Sequence, residues 1–295
     1  MVERIAAQRV FESDEELKSF TFINCSLDFR GKVNLLFAKN RKDNLPKNYK
    51  LIILGKDTNA IDRISKNEYH FAMQIANDRY CFIRARSRHL GENRYEKNCE
   101  IVDGFGAKID EFFIGDGIED AQTNANSELW VSYFDEGVYS GDPFGQNGLN
   151  CFNIKGDAIY SYNYNEAGVI IDDCYALNVV SKDTIWIYVY NAFRLIKIKN
   201  KKIEKIFTPP EKIRYWRAFA IHKDKVLIYA SDGARKALHF LCAFDGDKGK
   251  IYSIKTIEFY DKNDEKPLYC YRAQKEAIYF WQNDALYKAS VINLA

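Results

Sequence analysis

The sequence predicts an all-β fold, a six-bladed β-propeller with about four antiparallel strands in each blade. Three observations support this prediction. Residues 116–198 contain one unit twice: an acidic lead-in, a strand, a turn and a second strand that carries Trp, first Trp130 and then Trp186. Aromatic-rich segments of this kind recur six times, about 49 residues apart on average, which is a spacing typical of propeller blades. Aromatic residues make up 15% of the chain and only 5 residues are Pro, a composition that favours strands.

The six aromatic segments are the second strands of the predicted blades. They are GKVNLLFA from Gly31, DRYCFIRA from Asp78, SELWVSYF from Ser127, DTIWIYVY from Asp183, DKVLIYAS from Asp224 and EAIYFWQN from Glu276. Runs such as LWVSYF and IWIYVY are apolar on both faces, which is expected when sheets pack face to face and cover both sides.

The other strands of each blade follow from apolar runs that are separated by polar turns. The fourth blade is the clearest, with strands predicted at 174–180, 184–190, 193–199 and 202–207. The second blade uses 70–76, 79–85, 98–104 and 108–114, and the fifth uses 216–222, 225–231, 237–244 and 252–259. The sixth has only 268–274, 277–282 and 285–291.

The N-terminal residues 3–11 have no blade of their own, so we expect them to supply the missing outer strand of the sixth blade and to close the ring. A short amphipathic helix over residues 3–18 is the alternative, because Val2, Ile5, Ala6 and Val10 have partly helical spacing. No linker interrupts the chain, and residues 1–295 are predicted to form a single propeller domain.

The composition disfavours several classes of partner. The 43 Lys and Arg residues nearly balance the 41 Asp and Glu residues, so we expect neither nucleic acid nor a membrane as a partner. The N-terminus has no apolar stretch of the kind found in signal peptides, and a cytoplasmic protein is expected. The 7 Cys residues are widely spaced without a close pair, which predicts reduced, mostly buried thiols.

The predicted topology brings a set of side chains to one rim without any sequence motif. The loops that lead into the innermost strands lie at the same end as the loops that join the second and third strands, and binding sites often lie on such loops. The rim set is His70, Asp116, Glu119, Asp120, Asp135, Glu136, Asp142, Asp172, Asp173, Trp216, Arg217, Tyr271 and Arg272. Acidic residues around Asp120 and Asp173 suit a hard cation such as Ca²⁺. The alternative is that these Asp residues hold their own turns.

Three further segments carry candidate function. The Gly-rich loop at 135–147 is long, and we predict either a rim flap or a passive insertion. The loop with Arg84, Arg86, Arg88, His89 and Arg94 either grips a phosphate or an acidic partner, or forms a solvated face. The Lys-rich stretch at 196–205 is predicted to be an exposed outer strand whose lysines discourage edge pairing.

The strand-turn-strand units with an aromatic second strand resemble six-bladed propellers of the broad group that includes NHL-repeat and gluconolactonase-like proteins. Over about residues 115–198, the stretch from DGIEDAQ to FRLIKI is also similar to a set of uncharacterised bacterial propeller proteins. Gluconolactonase-like enzymes hold a divalent cation with Glu, Asn and Asp, and the resemblance implies Glu119 or Asp120, Asn178 and Asp173 for these roles. The WD, kelch and Asp-box signatures are missing.

Two functions are compatible with the sequence. The first is a non-catalytic module that binds a protein or small ligand at the rim through His70, Asp120, Asp135, Glu136, Asp173, Trp216, Arg217, Tyr271 and Arg272, without a cofactor. The second is a Ca²⁺-dependent hydrolase of the lactonase or esterase type, in which a metal held near Asp120 and Asp173 polarises a carbonyl. A Ser-His-Asp hydrolase has no support, because none of the 4 His accompanies a nucleophile-elbow motif.

Overall fold

The computed structural model describes residues 2–39, 47–56, 58–231 and 237–294, with only the backbone described at 231, 237, 238 and 271. The fold is all-β and is a six-bladed propeller, in which each blade contains four consecutive antiparallel strands or three such strands and one from the N-terminus. The chain divides into two compact units. The first unit is residues 14–163 with blades one to three, and the second unit is residues 1–13 and 164–295 with blades four to six.

The first unit contains three four-stranded blades. Blade one is β3 (Thr21–Leu27), β4 (Val33–Lys39), β5 (Lys47–Ile53) and β6 (Asn59–Ser65). Blade two is β7 (Phe71–Ala76), β8 (Arg79–Ile83), β11 (Cys99–Val102) and β12 (Lys108–Phe112), with a hairpin of β9 (His89–Gly91) and β10 (Arg94–Tyr95) inserted between β8 and β11. Blade three is β13 (Ile118–Thr123), β14 (Leu129–Tyr133), β15 (Leu149–Phe152) and β16 (Ala158–Ser161), with the short helix α1 (Asp135–Val138) after β14.

The second unit contains the other three blades, preceded by the short helix α2 (Tyr164–Ala167). Blade four is β17 (Cys174–Val179), β18 (Thr184–Val189), β19 (Arg194–Lys199) and β20 (Lys202–Phe207). Blade five is β21 (Trp216–His222), β22 (Lys225–Ser231), β23 (Ala237–Asp245) and β24 (Lys250–Tyr260). Blade six is β25 (Cys270–Gln274), β26 (Ala277–Gln282) and β27 (Ala285–Ser290). These bounds confirm the strands predicted for blades two, four, five and six.

The N-terminal segment forms two strands rather than a helix. β2 (Gln8–Glu12) pairs antiparallel with β27 and is the fourth strand of blade six, as the sequence predicts for the strand that closes the ring. β1 (Val2–Ala6) pairs parallel with β24 as a fifth strand of blade five, which the sequence did not predict. An ion pair also links β2 to this unit, because exposed Arg9 lies 3.6 Å from the buried Asp261 carboxylate that also accepts a hydrogen bond from the Tyr287 hydroxyl. The helical alternative for residues 3–18 is therefore wrong over these strands.

Apolar side chains on both faces of the strands build the core between neighbouring blades of a unit. In blade two, Ala72 and Phe82 pack against Leu36 and Leu51 of blade one. Residues that alternate with them along the same strands, such as Met73, pack against blade three. Successive side chains of a strand point to opposite faces, so a strand covered on both sides is apolar throughout.

Four hairpins at the end opposite the predicted rim share one five-residue turn. In each turn the first residue is Asp or Asn, and its Oδ1 accepts hydrogen bonds from the backbone amides two and four residues later. The fourth residue has positive φ and is Gly in three of the turns but Ser127 in the other, with φ of 60°. The turns are 28–32, 103–107, 124–128 and 153–157. The sequences DFRGK, DGFGA, NANSE and NIKGD thus encode a common turn geometry.

Over the described residues, no helix has the length and apolar character that crossing a lipid bilayer requires.

Candidate functional site

The predicted rim residues of the first unit lie where β7 and β13 begin and where β14 is joined to β15. Among the side chains at this rim, Arg86, Asp116 and Glu136 form a hydrogen-bonded group. Arg86 donates from Nε to Asp116 Oδ1 and from Nη2 to Asp116 Oδ2, both at 3.0 Å, and donates from Nη1 to Glu136. Asp116 Oδ1 also accepts from the Ser87 amide at 2.7 Å. These bonds to carboxylates raise the pKa of Arg86, with the bonds to Asp116 contributing most. Arg86 therefore bridges the two carboxylates of Asp116 and Glu136.

The loop at 135–147 is packed into the first unit. Asp142 is fully buried, and its carboxylate accepts hydrogen bonds from the amides of Asp116, Phe144 and Gly145 at 2.7–3.0 Å. A Cβ on Gly145 would lie 2.3 Å from the carbonyl oxygen of Gly137, so the backbone segments are in direct contact. The loop is therefore a structural element of blade three, and we no longer expect it to act as a separable flap.

His70 is exposed at the start of β7. Its Nδ1 accepts a hydrogen bond from the Ala85 amide at 3.2 Å, and its backbone oxygen accepts one from Asn24 Nδ2 at 2.8 Å. Partial burial lowers the pKa of the imidazole, while the carboxylate of Glu68 acts in the opposite direction. The lowered pKa favours the neutral imidazole of His70 at pH 7, and this ring also interacts with the backbone of Ala85 and Glu68.

The Arg-rich loop of blade two forms mainly internal ion pairs. Arg84 lies 3.1 Å from Glu96, Arg88 lies 3.1 Å from the same carboxylate, and Arg86 is held by Asp116 and Glu136. These contacts favour a structural role for the loop over the predicted grip on a phosphate.

The residues predicted to hold a metal belong to different units, Glu119 and Asp120 to the first and Asp173 and Asn178 to the second. Glu119 is exposed, and Asp120 Oδ2 accepts a hydrogen bond from Gln122 at 2.9 Å. Asn178 of blade four is fully buried, and its side chain forms hydrogen bonds with the backbone of blades five and six. Its Nδ2 donates to the backbone oxygens of Phe219 and Lys275, and its Oδ1 accepts from the Lys275 amide at 2.7 Å.

These bonds explain Asn178 as a structural residue of the second unit. Among the residues that the structure describes, no group of three or more His, Cys, Asp or Glu side chains could hold a metal ion. The calcium site stays a prediction.

Two rim candidates of the second unit, Trp216 and Arg217, are consecutive residues of β21 and differ in burial. Trp216 is fully buried, stacks on Tyr188 with ring centroids 4.3 Å apart, and donates from Nε1 to the backbone oxygen of Ile213 at 2.8 Å. Arg217 points to the other side and is exposed. The rim assignment of Trp216 is therefore wrong, because this side chain belongs to the core. The rim role of Arg217 stays a prediction.

Three further rim candidates of the second unit are Asp173, Arg272 and Tyr271. Asp173 precedes β17, and its backbone oxygen accepts a hydrogen bond from the Tyr190 amide at 3.0 Å. Arg272 is 8% exposed within β25. Tyr271 lies in the same strand, and its side chain is outside the described residues.

A patch of aromatic and arginine side chains, missed by the sequence analysis except for Arg217, lies at this rim of blades four and five. We call it the aromatic–arginine patch. It consists of Tyr175, Tyr190, Phe193, Arg214, Tyr215 and Arg217. The ring centroids are 5.4 Å apart for Tyr175 and Tyr190, and 5.5 Å apart both for Tyr190 and Phe193 and for Phe193 and Tyr215. Tyr190 and Tyr215 are 45% and 44% exposed.

Two arginines extend over the rings of this patch. The guanidinium carbon of Arg217 is 5.7 Å from the ring centroid of Tyr175, and that of Arg214 is 5.0 Å from the ring centroid of Phe193. Arg214 also contacts Glu211 at 2.8 Å. Arg217, in contrast, has no ion-pair partner within the described part of the chain.

The backbone that carries the patch is strained. Ala192, Phe193 and Tyr215 have positive φ of 61°, 47° and 60°. Such angles are rare for residues with bulky side chains and cost about 1 kcal/mol or more for each residue. Buried neighbours hold this conformation, because Ile213 and Trp216 insert into the core on either side of Arg214 and Tyr215. The fold thus holds two aromatic rings at the surface at an energetic cost.

Two tyrosines near Arg217, Tyr175 and Tyr229, have raised pKa values and remain protonated at neutral pH. Burial raises the pKa of Tyr175, and the nearby carboxylate of Asp173 raises it further. Burial also raises the pKa of Tyr229, which lies near Arg217, to about 12. The phenol groups can therefore donate hydrogen bonds to a ligand.

Comparisons with known proteins give one family model and solved structures to which this chain is similar. A model of the YxzG family matches residues 149–289, which begin at β15 and extend into blade six. No curated protein matches. The chain is similar to the β-propeller domain of the Trilobed protease from Pyrococcus furiosus, with 13% identity, a TM-score of 0.47 and coverage of 92% of this chain and 82% of that chain. It is also similar to the extracellular domain of BT4673 from B. thetaiotaomicron, with 13% identity, a TM-score of 0.48 and coverage of 96% and 39%.

Proposed function

We propose that this protein is a non-catalytic binding module that recognises a protein partner through the aromatic–arginine patch at the rim of blades four and five. The observation that carries the proposal is the combination of exposed Tyr190 and Tyr215 with exposed Arg217, which has no ion-pair partner among the described residues. Of these three residues, Tyr215 has positive φ, as do Ala192 and Phe193 in the same patch region. Strain of this kind persists where surrounding structure enforces it, and it concentrates at functional sites.

The residue types suit a protein interface. Tyr and Arg are enriched among the interface residues that contribute most to binding energy, because they bury a large area and also form hydrogen bonds. A Tyr side chain has few rotatable bonds, and the ring contacts within the patch restrict them further. Little side-chain entropy is therefore lost when a partner covers these rings.

The rim of the first unit is a weaker candidate. Its charged residues Arg86, Asp116 and Glu136 already bind one another, so a ligand would have to break these contacts before it could replace them. A ligand of the aromatic–arginine patch would not have to displace an ion-pair partner of Arg217 among the described residues. We therefore place the partner site on blades four and five.

Affinity capture with matched variants tests this proposal. Wild-type protein, the double variant Tyr190→Ser/Tyr215→Ser and the control Tyr252→Ser are used as baits in an extract of the source cells. Tyr252 is a suitable control because it is 45% exposed on β24 of the same unit and outside the patch. We expect one protein to be captured by the wild type and the control but lost with the double variant, and to form a complex when purified. Equal capture of every specific protein by all three baits would overturn the proposal.

The hydrolase hypothesis depends on the predicted calcium site. In this hypothesis Ca²⁺ would act as a Lewis acid for a lactone or ester carbonyl, but its predicted ligands Asp120 and Asp173 belong to different units. Asn178 fits this role poorly, since its oxygen already accepts a hydrogen bond from Lys275. The binding module is therefore the function that we favour.

A further inference from the structure

We propose that the partner presents an acidic segment to the patch, in which an Asp or Glu carboxylate binds Arg217 and an adjacent apolar side chain covers the rings of Tyr190 and Tyr215. This inference rests on the proposed function and specifies the chemistry of the partner.

The charge balance of the patch is the first argument. Three arginines border the rings. Arg194 donates to the backbone oxygen of Ala192 at 2.5 Å, and Arg214 contacts Glu211. Arg217 lies over the ring of Tyr175 and has no ion-pair partner in the described part of the chain. A guanidinium over an aromatic face keeps its N–H groups directed outward in the plane of the group, where they fit the two oxygens of a carboxylate. An anionic group on the partner would supply the opposite charge that Arg217 lacks among the described residues.

The surroundings of Arg217 are the second argument. The tyrosine hydroxyls nearby are hydrogen-bond donors to a carboxylate, and the high pKa of Tyr175 and Tyr229 preserves this property. The rings themselves offer an apolar surface, and Phe193 is partly buried against the core beneath them. A ligand with only charge would leave these rings exposed, and a ligand with only apolar groups would bury Arg217 without a partner. An acidic residue beside an apolar one satisfies both requirements.

The third argument concerns Asp173, which lies at the same edge and raises the pKa of Tyr175. Its carboxylate would repel a very acidic ligand. The site therefore favours one carboxylate beside apolar groups over a dense polyanion.

Peptide binding tests the inference. Three short fluorescein-labelled peptides share one Leu- and Tyr-containing sequence and differ only in a central Glu, Gln or Lys. Fluorescence anisotropy measures their affinity for the wild type, Arg217→Gln, Arg217→Lys and Tyr215→Ser. We expect the Glu peptide to bind about tenfold more tightly than the Gln peptide, because one hydrogen bond to a charged group is involved. The Lys peptide should bind most weakly.

The variants separate charge from apolar contact. Arg217→Gln should abolish the preference for Glu over Gln, Arg217→Lys should keep part of it, and Tyr215→Ser should weaken the Glu and Gln peptides by the same factor. Equal affinity for the Glu and Gln peptides, or an unchanged Glu preference in Arg217→Gln, would overturn the acidic-segment inference but not the proposed function. If no peptide binds at millimolar concentration, the inference also fails, while the capture experiment decides the proposed function independently.

Discussion

His239 predicts a pH dependence of stability that can be calculated from its surroundings. The side chain is 2% exposed in β23 and lies between the rings of Tyr229, Phe259 and Phe280, at centroid distances of 5.1, 5.0 and 5.6 Å. Its Nε2 has no hydrogen-bond partner among the described residues. Burial lowers the pKa of His239 from 6.5 to about 3, because the charged imidazolium would lose its hydration there.

The sign of the effect follows from linkage. The unfolded chain binds the proton below about pH 6.5, whereas the folded protein resists it until about pH 3. Stability is therefore fully present above pH 6.5 and is lost as the pH falls toward 3, by about 1.4 kcal/mol per pH unit and about 5 kcal/mol in total.

Urea unfolding between pH 7 and pH 4 measures this effect, with His239→Phe as the variant. The difference between wild type and variant isolates His239 from the carboxyl groups that titrate in both proteins. We expect the variant to gain about 1.4 kcal/mol of relative stability for each pH unit below 6. Phe280→Leu is the control, since it removes packing from the same cluster without removing a titrating group and should lower stability by a similar amount at every pH. Parallel pH profiles for wild type and His239→Phe would refute the reasoning.

Three further predictions concern the turns, the packed loop and the metal. Ser127→Gly should raise the free energy of unfolding by about 1 kcal/mol, because Ser127 has positive φ. The control Ser127→Ala should leave the free energy of unfolding within about 0.5 kcal/mol of the wild type. An equal response of both variants in urea unfolding would contradict this prediction. Asp142→Ala should lower stability by about 3 kcal/mol or more, because three backbone amides, two of them in buried hydrogen bonds, lose their acceptor. A loss below about 1 kcal/mol would show that the loop is a loose insertion. Calorimetric titration of chelator-treated protein with Ca²⁺, Mg²⁺ or Zn²⁺ should give no binding heat and no shift of melting temperature; a saturable heat would favour the hydrolase hypothesis.

The blades were predictable because their sequence signals are local. Each second strand is a continuous apolar and aromatic run, and strands covered on both faces need such runs. The N-terminal strand β2 was predictable from the missing strand of blade six. The parallel addition of β1 to blade five was not, because nothing in residues 2–6 distinguishes an extra strand from a tail.

The candidate site was only partly predictable. Topology predicted both Trp216 and Arg217 at the rim, although consecutive residues of a strand point to opposite faces. Arg217 is exposed, whereas Trp216 is buried in the core. Ile213 and Trp216 are apolar and buried, whereas Arg214, Tyr215 and Arg217 are exposed.

Other contacts depend on long-range geometry. Phe193 and Tyr215 meet because two turns adopt positive φ with bulky residues, which intrinsic preferences disfavour. The pairing of Arg86 with Asp116 joins residues 30 positions apart and could not be distinguished from a solvated arginine in the sequence.

Hydrogen–deuterium exchange of the purified complex tests the central claim most directly, since it locates the bound partner on the surface of this chain. Binding at the aromatic–arginine patch predicts slower amide exchange in residues 190–193 and 214–217, with unchanged exchange in residues 86–88 and 135–145 of the first unit. Protection confined to the first unit, or absent from both patch segments, would contradict the account.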